Sequence, residues 1–150
     1  MIGSVVDEEL SMLEPTIPCD HPRGPELAAL RAELQQHWCA ETSFWPDDWT
    51  PDRPSFGQCA VTAMIVHDRF GGEMLRTVNE GVLHYWNLVD DIDVDLTRDQ
   101  FDSWAPEDEI VAVDPDYVRT SGPTIAARHS RLSAALDNLP SAGVFRGTLR

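Results

Sequence analysis

Three residues whose types together carry out acyl chemistry fall in order along this 150-residue chain: Cys59, His84 and Asp95. A thiolate attacks a carbonyl carbon, an imidazole moves the proton, and a carboxylate fixes the imidazole tautomer and stabilises its charged form. The thiol lies in the stretch FGQCAVTAMIVHDRFGG, Phe56 to Gly72. This reads as a core helix, with Ala60, Val61, Ala63, Met64, Ile65 and Phe70 on a wide apolar face and Gly71-Gly72 as its stop. Cys59 falls in the first turn, beside unpaired backbone N–H groups and the positive end of the helix dipole. Both lower a thiol pKa, and the same N–H groups can receive an oxyanion. Free cysteine is also a common small packing residue, so its position alone leaves both roles open.

A base must come from five histidines. His67 lies eight positions along the same helix, roughly 12 Å away by helical rise, and cannot touch Cys59. His21 and His37 precede the helix and His129 belongs to a closing helix, whereas His84 lies on a strand that must pack near it. If Asp90-Asp91 is a two-residue hairpin turn, His84 opposes Thr97, Trp86 opposes Asp95 and Leu88 opposes Asp93. His84 and Asp95 are then diagonal neighbours on one face, about 7 Å apart at the backbone. The other face holds Tyr85, Val89, Ile92, Val94 and Leu96, apolar apart from Asn87. A three-residue turn would break that register, so Asp93 and Asn87 stand as substitutes for Asp95 in orienting the base.

The elements that must position these groups are those of an α+β domain. Residues 1–24, with Pro15, Pro18 and Pro22, read as an N-terminal extension, flexible or docked on the body. Residues 25–150 read as one domain. Leu27, Leu30, Leu34 and Trp38 predict a helix over about 25–40. The proline-rich segment TSFWPDDWTPDRPSFGQ then leads into Cys59, and a long loop of this kind is more often functional than idle. Its Trp45, Trp49 and Phe56, with Trp86, are candidates to line a substrate cleft. Strands are expected at Glu73 to Val78, Val82 to Val89, Ile92 to Thr97 and about Ile110 to Val113. Thr97 and Gln100 have capping-box spacing, and a closing helix is expected over about 123–139.

Composition excludes several classes. The formal charge of −15 at pH 7 repels phosphate backbones and anionic lipid heads, so neither nucleic acid nor a membrane surface is an expected partner. A cationic or neutral small substrate is compatible with that charge. All 11 basic residues are arginine, which removes the lysine of a P-loop, a Schiff base or a lysine nucleophile. Cys19, Cys39 and Cys59 are an odd, widely spaced set, which favours reduced thiols over a disulfide framework. Cys19-x-His21 and His37-x-Cys39 suggest zinc only weakly, because His37 and Cys39 point to different sides of a helix. No metal and no cofactor is expected. With neither an apolar membrane span nor a signal-like N-terminus, the expected location is the cytoplasm.

The segments ETSFWPDDWTPDRPSFGQCAVTAMIVHDRFGGEMLRT and HYWNLVDDIDVDLTRDQF resemble the YunG-like family of small bacterial proteins. The resemblance covers roughly residues 41–101. It implies a papain-like or transglutaminase-like core, in which cysteine, histidine and aspartate follow in this order on a helix and two strands. Carried over by position, it points to Cys59, His84 and Asp95.

The expected function is a cysteine-dependent hydrolase, acyltransferase or cyclase acting on an amide, ester or thioester of a small molecule or peptide end. The backbone N–H of Cys59, with the Gln58 side chain beside it, would hold the oxyanion. The alternative is a non-catalytic binding or immunity-type module that keeps the fold and offers the acidic stretch 90–116 to a basic partner.

Overall fold

The computed structural model describes residues 16–137. The elements run α1 (Gly24–His37), a 3-10 turn at Ala40–Thr42, α2 (Cys59–Phe70), β1 (Glu73–Asn79), β2 (Val82–Val89), β3 (Ile92–Val94), a 3-10 turn at Arg98–Gln100, β4 (Val111–Val113), α3 (Pro115–Thr120) and α4 (Ile125–Asp137). The four strands form one antiparallel sheet in the order β3-β2-β1-β4, so the domain is α+β as expected.

α2 is the central helix. Every residue from Cys59 to Val66 is buried, and Gly71, at φ 73°, ends it in a conformation that glycine adopts without cost. Its apolar side chains join two clusters. Val61, Ile65 and Val66 meet Leu27, Leu30 and Leu34 of the first helix and Trp38 just after it, with Leu132 and Leu136 of the last, and with Val89 and Val94. Cys59, Ala60, Ala63 and Met64 meet Met74 and Tyr85 of the sheet, Val118 and Ile125. Each large aliphatic side chain fully buried here contributes about 1.5–3 kcal/mol by leaving water.

The hairpin between β2 and β3 has the expected register, with Asn87 opposite Val94, Leu88 opposite Asp93 and Val89 opposite Ile92. Its two turn residues, Asp90 and Asp91, take φ of 55° and 63°, the left-handed pair that matches the twist of adjoining strands. β3 is shorter than the sequence suggests. It leaves the sheet after Val94, and Asp95 instead exchanges two 2.9 Å backbone hydrogen bonds with Thr16. The segment from Thr16 to Arg23 is therefore docked, as the buried His21 also shows: its Nε2 donates to Val89 O at 3.0 Å while Nδ1 accepts from Arg23 N at 2.9 Å. Residues 1–15, and the 138–139 end of the expected closing helix, lie outside the described residues.

Candidate active site

The long loop before Cys59 is closed at its neck. Phe44 N donates to Gly57 O at 2.9 Å, and Ser43 Oγ donates to Phe56 O at 2.9 Å while accepting from Trp45 N at 3.1 Å. Gly57 has φ 73°, and a Cβ there would overlap Ser43 Oγ and press on Phe44 N at 2.9 Å. Gly57→Ala is therefore expected to cost about 2 kcal/mol or more, read as a lower urea midpoint, through left-handed strain and this overlap together. After Gly57 the chain turns into the helix: Thr62 N donates to Gln58 O at 3.0 Å, and no side chain caps the first turn. The first-turn N–H groups are thus left for whatever lies in front of Cys59 and Ala60.

How Cys59 meets His84 follows from the pleat of β2. Asn87 donates from Nδ2 to Ala63 O at 3.0 Å, and Tyr85 packs with the helix, so α2 covers the odd-numbered face of the strand. His84 and Trp86 project from the other face. Because β3 departs after Val94, the edge of β2 from Leu83 to Tyr85 is left without a strand partner, and its odd-numbered N–H and C=O groups point outward there. Cys59 occupies this gap. Its thiol donates to Leu83 O at 3.8 Å, and the His84 side chain and the Tyr85 N–H lie close enough to lower its pKa. A β3 running on to Thr97 would have paired that edge and shut the thiol away from the imidazole.

His84 is fully buried and bonds from Nε2 to Asp95 Oδ2 at 2.7 Å, which leaves Nδ1 for the Cys59 side. Asp95, 1% exposed, also accepts from Arg98 Nε at 2.8 Å and from Thr97 N at 3.1 Å. The imidazole sits in an aromatic box. Trp86 stacks on it at 5.5 Å, Phe101 and Trp104 meet it edge-on at 4.8 and 5.5 Å, and Arg98 lies 3.7 Å over the Trp104 ring. Burial pushes the His84 pKa down, but the charge and hydrogen bond of Asp95, with the Cys59 contact, outweigh it and carry it up to about 9. Burial likewise pushes the Cys59 thiol up. The bond and charge of His84, with the Tyr85 N–H, outweigh that and hold the thiol below its ordinary value. A thiolate beside an imidazolium is the state both shifts favour.

Cys59, His84 and Asp95 thus come together, but several other expected residues have different tasks. Gln58 turns away from the site, burying its side chain and donating from Nε2 to Cys39 O at 3.0 Å, so it offers no oxyanion support. Asp93 accepts from Trp86 Nε1 at 3.1 Å, and Asn87 holds the helix; neither orients the base. Trp86 walls the imidazole instead of lining a cleft. Trp49 ties its Nε1 to Pro54 O at 3.0 Å, and Phe56 stands behind Trp45 with ring centroids 5.3 Å apart. Only Trp45 of the four aromatics lines the cavity of about 450 Å³ in front of Cys59. The weak zinc pairs are occupied otherwise: both His21 nitrogens are bonded as above, and His37 Nδ1 meets Glu33 O at 2.9 Å.

Gln100 is a site residue that the sequence concealed. Its capping-box spacing with Thr97 is real, yet Thr97 makes no side-chain cap. The Gln100 amide instead accepts from Gly57 N at 3.2 Å through Oε1 and donates from Nε2 to Thr97 Oγ1 at 3.2 Å, with His84 Nδ1 in contact at 3.4 Å. It links the loop that sets Cys59 to the imidazole. Arg128 was also missed; it lines the cavity with Cys59. A charged residue on the buried stripe of Ile125, His129, Leu132 and Leu136 was the available signal.

Among the described residues no three His, Cys, Asp or Glu side chains gather as a metal site, and no helix is long and apolar enough to cross a membrane. No solved structure matches the chain. The chain is similar to the uncharacterized protein YunG of Bacillus subtilis (strain 168), 37% identical over 68 residues that cover 45% of this chain and 56% of that protein. It therefore spans a little over half the length of the curated relative it matches. Residues 26–139 match the family model described as YunG protein, and the chain belongs to the YunG family.

Proposed function

We propose that the chain is a cysteine-dependent enzyme that hydrolyses or transfers the acyl group of an amide, ester or thioester on a small molecule or peptide end. The observation that carries this is the seat of Cys59: a thiol in a helix's first turn, set in the open edge of β2 beside a histidine bonded to a buried aspartate at 2.7 Å. The sequence helix cysteine, strand histidine, then carboxylate also supports a papain-like or transglutaminase-like reading of the core.

In the first half-reaction the Cys59 sulfur forms a bond to the carbonyl carbon, and the carbonyl π pair moves to oxygen, facing the first-turn N–H groups. As the pair returns, the bond to the leaving nitrogen, oxygen or sulfur breaks, and the leaving atom takes the proton from His84 Nδ1. In the second half-reaction water, or an amine or alcohol acceptor, gives that proton back to His84 while attacking the thioester carbon. The thiolate departs and the resting pair is restored. Asp95 holds Nε2–H throughout and stabilises the imidazolium. The alternative, a non-catalytic acidic module, has no need of a thiol lining a cavity with a buried base beside it.

Incubation with p-nitrophenyl acetate and with an N-acetylcysteamine acetyl thioester, followed by peptide mapping, tests this. Acetyl is expected on Cys59 of the wild type and on no peptide spanning position 59 in Cys59→Ala. Acetylation confined to the exposed Cys19 and to Cys39 would contradict it.

A further inference from the structure

The cavity in front of Cys59 contains a cation with no carboxylate partner among the described residues. Arg128, on α4, is 6% exposed, yet among the described residues it forms no ion pair. Its Nε donates to Thr124 Oγ1 at 3.0 Å and one terminal nitrogen donates to Thr42 O at 3.2 Å, both neutral acceptors. The other terminal nitrogen has no hydrogen-bond partner among the described residues, and Arg128 lines the cavity beside Phe44, whose ring centroid is 5.5 Å from the guanidinium carbon. Burial pushes the guanidinium below its ordinary pKa, and the charge of Cys59 pushes it back. A buried cation without a directly hydrogen-bonded anion is costly, and a fork of planar N–H donors suits a carboxylate. Trp45, Leu83, Tyr85 and Ile125 make the rest of the wall mostly apolar.

We propose that Arg128 anchors a substrate carboxylate, so that the acyl compound taken here has an apolar body with an anionic end on Arg128 and its reacting carbonyl at Cys59. This deepens the reading of Cys59 as nucleophile and rests on it. The formal charge of −15 argues at long range for cationic or neutral substrates. That field is screened beyond about 8 Å at physiological ionic strength, whereas a desolvated guanidinium acts at contact distance. The local cation therefore sets the preference. A volume of about 450 Å³ suits a small molecule or a peptide terminus.

Alkylating agents matched in shape but not in charge test the anchor. Iodoacetate and iodoacetamide each form a sulfur–carbon bond and release iodide, and mapping of the Cys59 peptide gives a rate for each. The iodoacetate-to-iodoacetamide ratio at Cys59 is expected to exceed that at the exposed Cys19. It should fall about tenfold in Arg128→Gln and be partly kept in Arg128→Lys, as expected for losing or moving one charged contact. An equal ratio in wild type and Arg128→Gln overturns the proposal. Because Arg128 also bonds Thr42 and Thr124, a second arm uses only the wild type: phenylacetate should protect Cys59 from iodoacetamide better than phenylacetamide at equal concentration, and equal protection overturns the proposal. Failure of the nucleophile reading is seen separately, as an ordinary-thiol pH profile with iodoacetamide alone.

Discussion

Asp95→Ala is expected to destabilise the fold by about 3–5 kcal/mol, because it strands two desolvated partners at once. The carboxylate takes His84 Nε2 at 2.7 Å, Arg98 Nε at 2.8 Å and the N–H and hydroxyl of Thr97 at 3.1 and 3.4 Å, with almost no solvent access. Without it the raised pKa of His84 loses its main cause, and the Arg98 guanidinium is held over Trp104 with no charge partner among the described residues. Asp95→Asn keeps the volume and should cost less, while still removing the charge that orients and ionises the base. The pH dependence has a definite sign. Burial pushes the Asp95 carboxyl up, and the charges and bonds of His84 and Arg98 outweigh it, so the carboxyl titrates below its ordinary 3.8. Its stabilisation is present above about 4 and is lost as pH falls through the lowered pKa. His84 is the opposite case: its stabilisation is present below 6.5 and is lost as pH rises through about 9. Urea midpoints for the wild type and both variants across that range measure all of this.

His84→Ala should cost Cys59 its reactivity near neutral pH. Of the influences on the thiol, burial is the largest and pushes the pKa up, as does the negative charge of Asp95. Those that pull it down are the hydrogen bond and charge of His84, with the N–H of Tyr85. Removing the imidazole leaves the upward influences dominant, so the variant thiol should titrate above its ordinary value. At about pH 6 the alkylation rate is expected to fall on the order of 100-fold, because thiolate carries the reaction. Cys19, exposed and without a contact to His84, should be unchanged and serves as the internal standard.

Much of this site was legible in residue types and spacing. The β2–β3 register followed from reading Asp90-Asp91 as a two-residue turn, and it gave the His84–Asp95 pair directly. Helical rise excluded His67, and the apolar run after Cys59 gave the buried helix. The length of β3 was not legible, because Asp95, Leu96 and Thr97 continue the alternation of a strand while Thr16 takes the backbone of Asp95. That tertiary contact, from a segment without periodicity, opens the edge that admits the thiol. Gln58 misled by adjacency: a residue at the turn into a helix need not point where its neighbour does, and this one points to Cys39. α3 carried a clear signal that was passed over, since Asp114 caps it through Asp116 N at 3.0 Å and Pro115 fills its first position.

Everything proposed for function depends on a thiolate–imidazolium pair at Cys59 and His84, and the pH profile of Cys59 alkylation by iodoacetamide measures that pair directly. The expected profile for the wild type shows a Cys59 reactive below the ordinary thiol range, a plateau while His84 holds its proton, and a further change near pH 9 as His84 loses it. A single rise near the ordinary thiol value, identical in the wild type and in His84→Ala, would contradict the account.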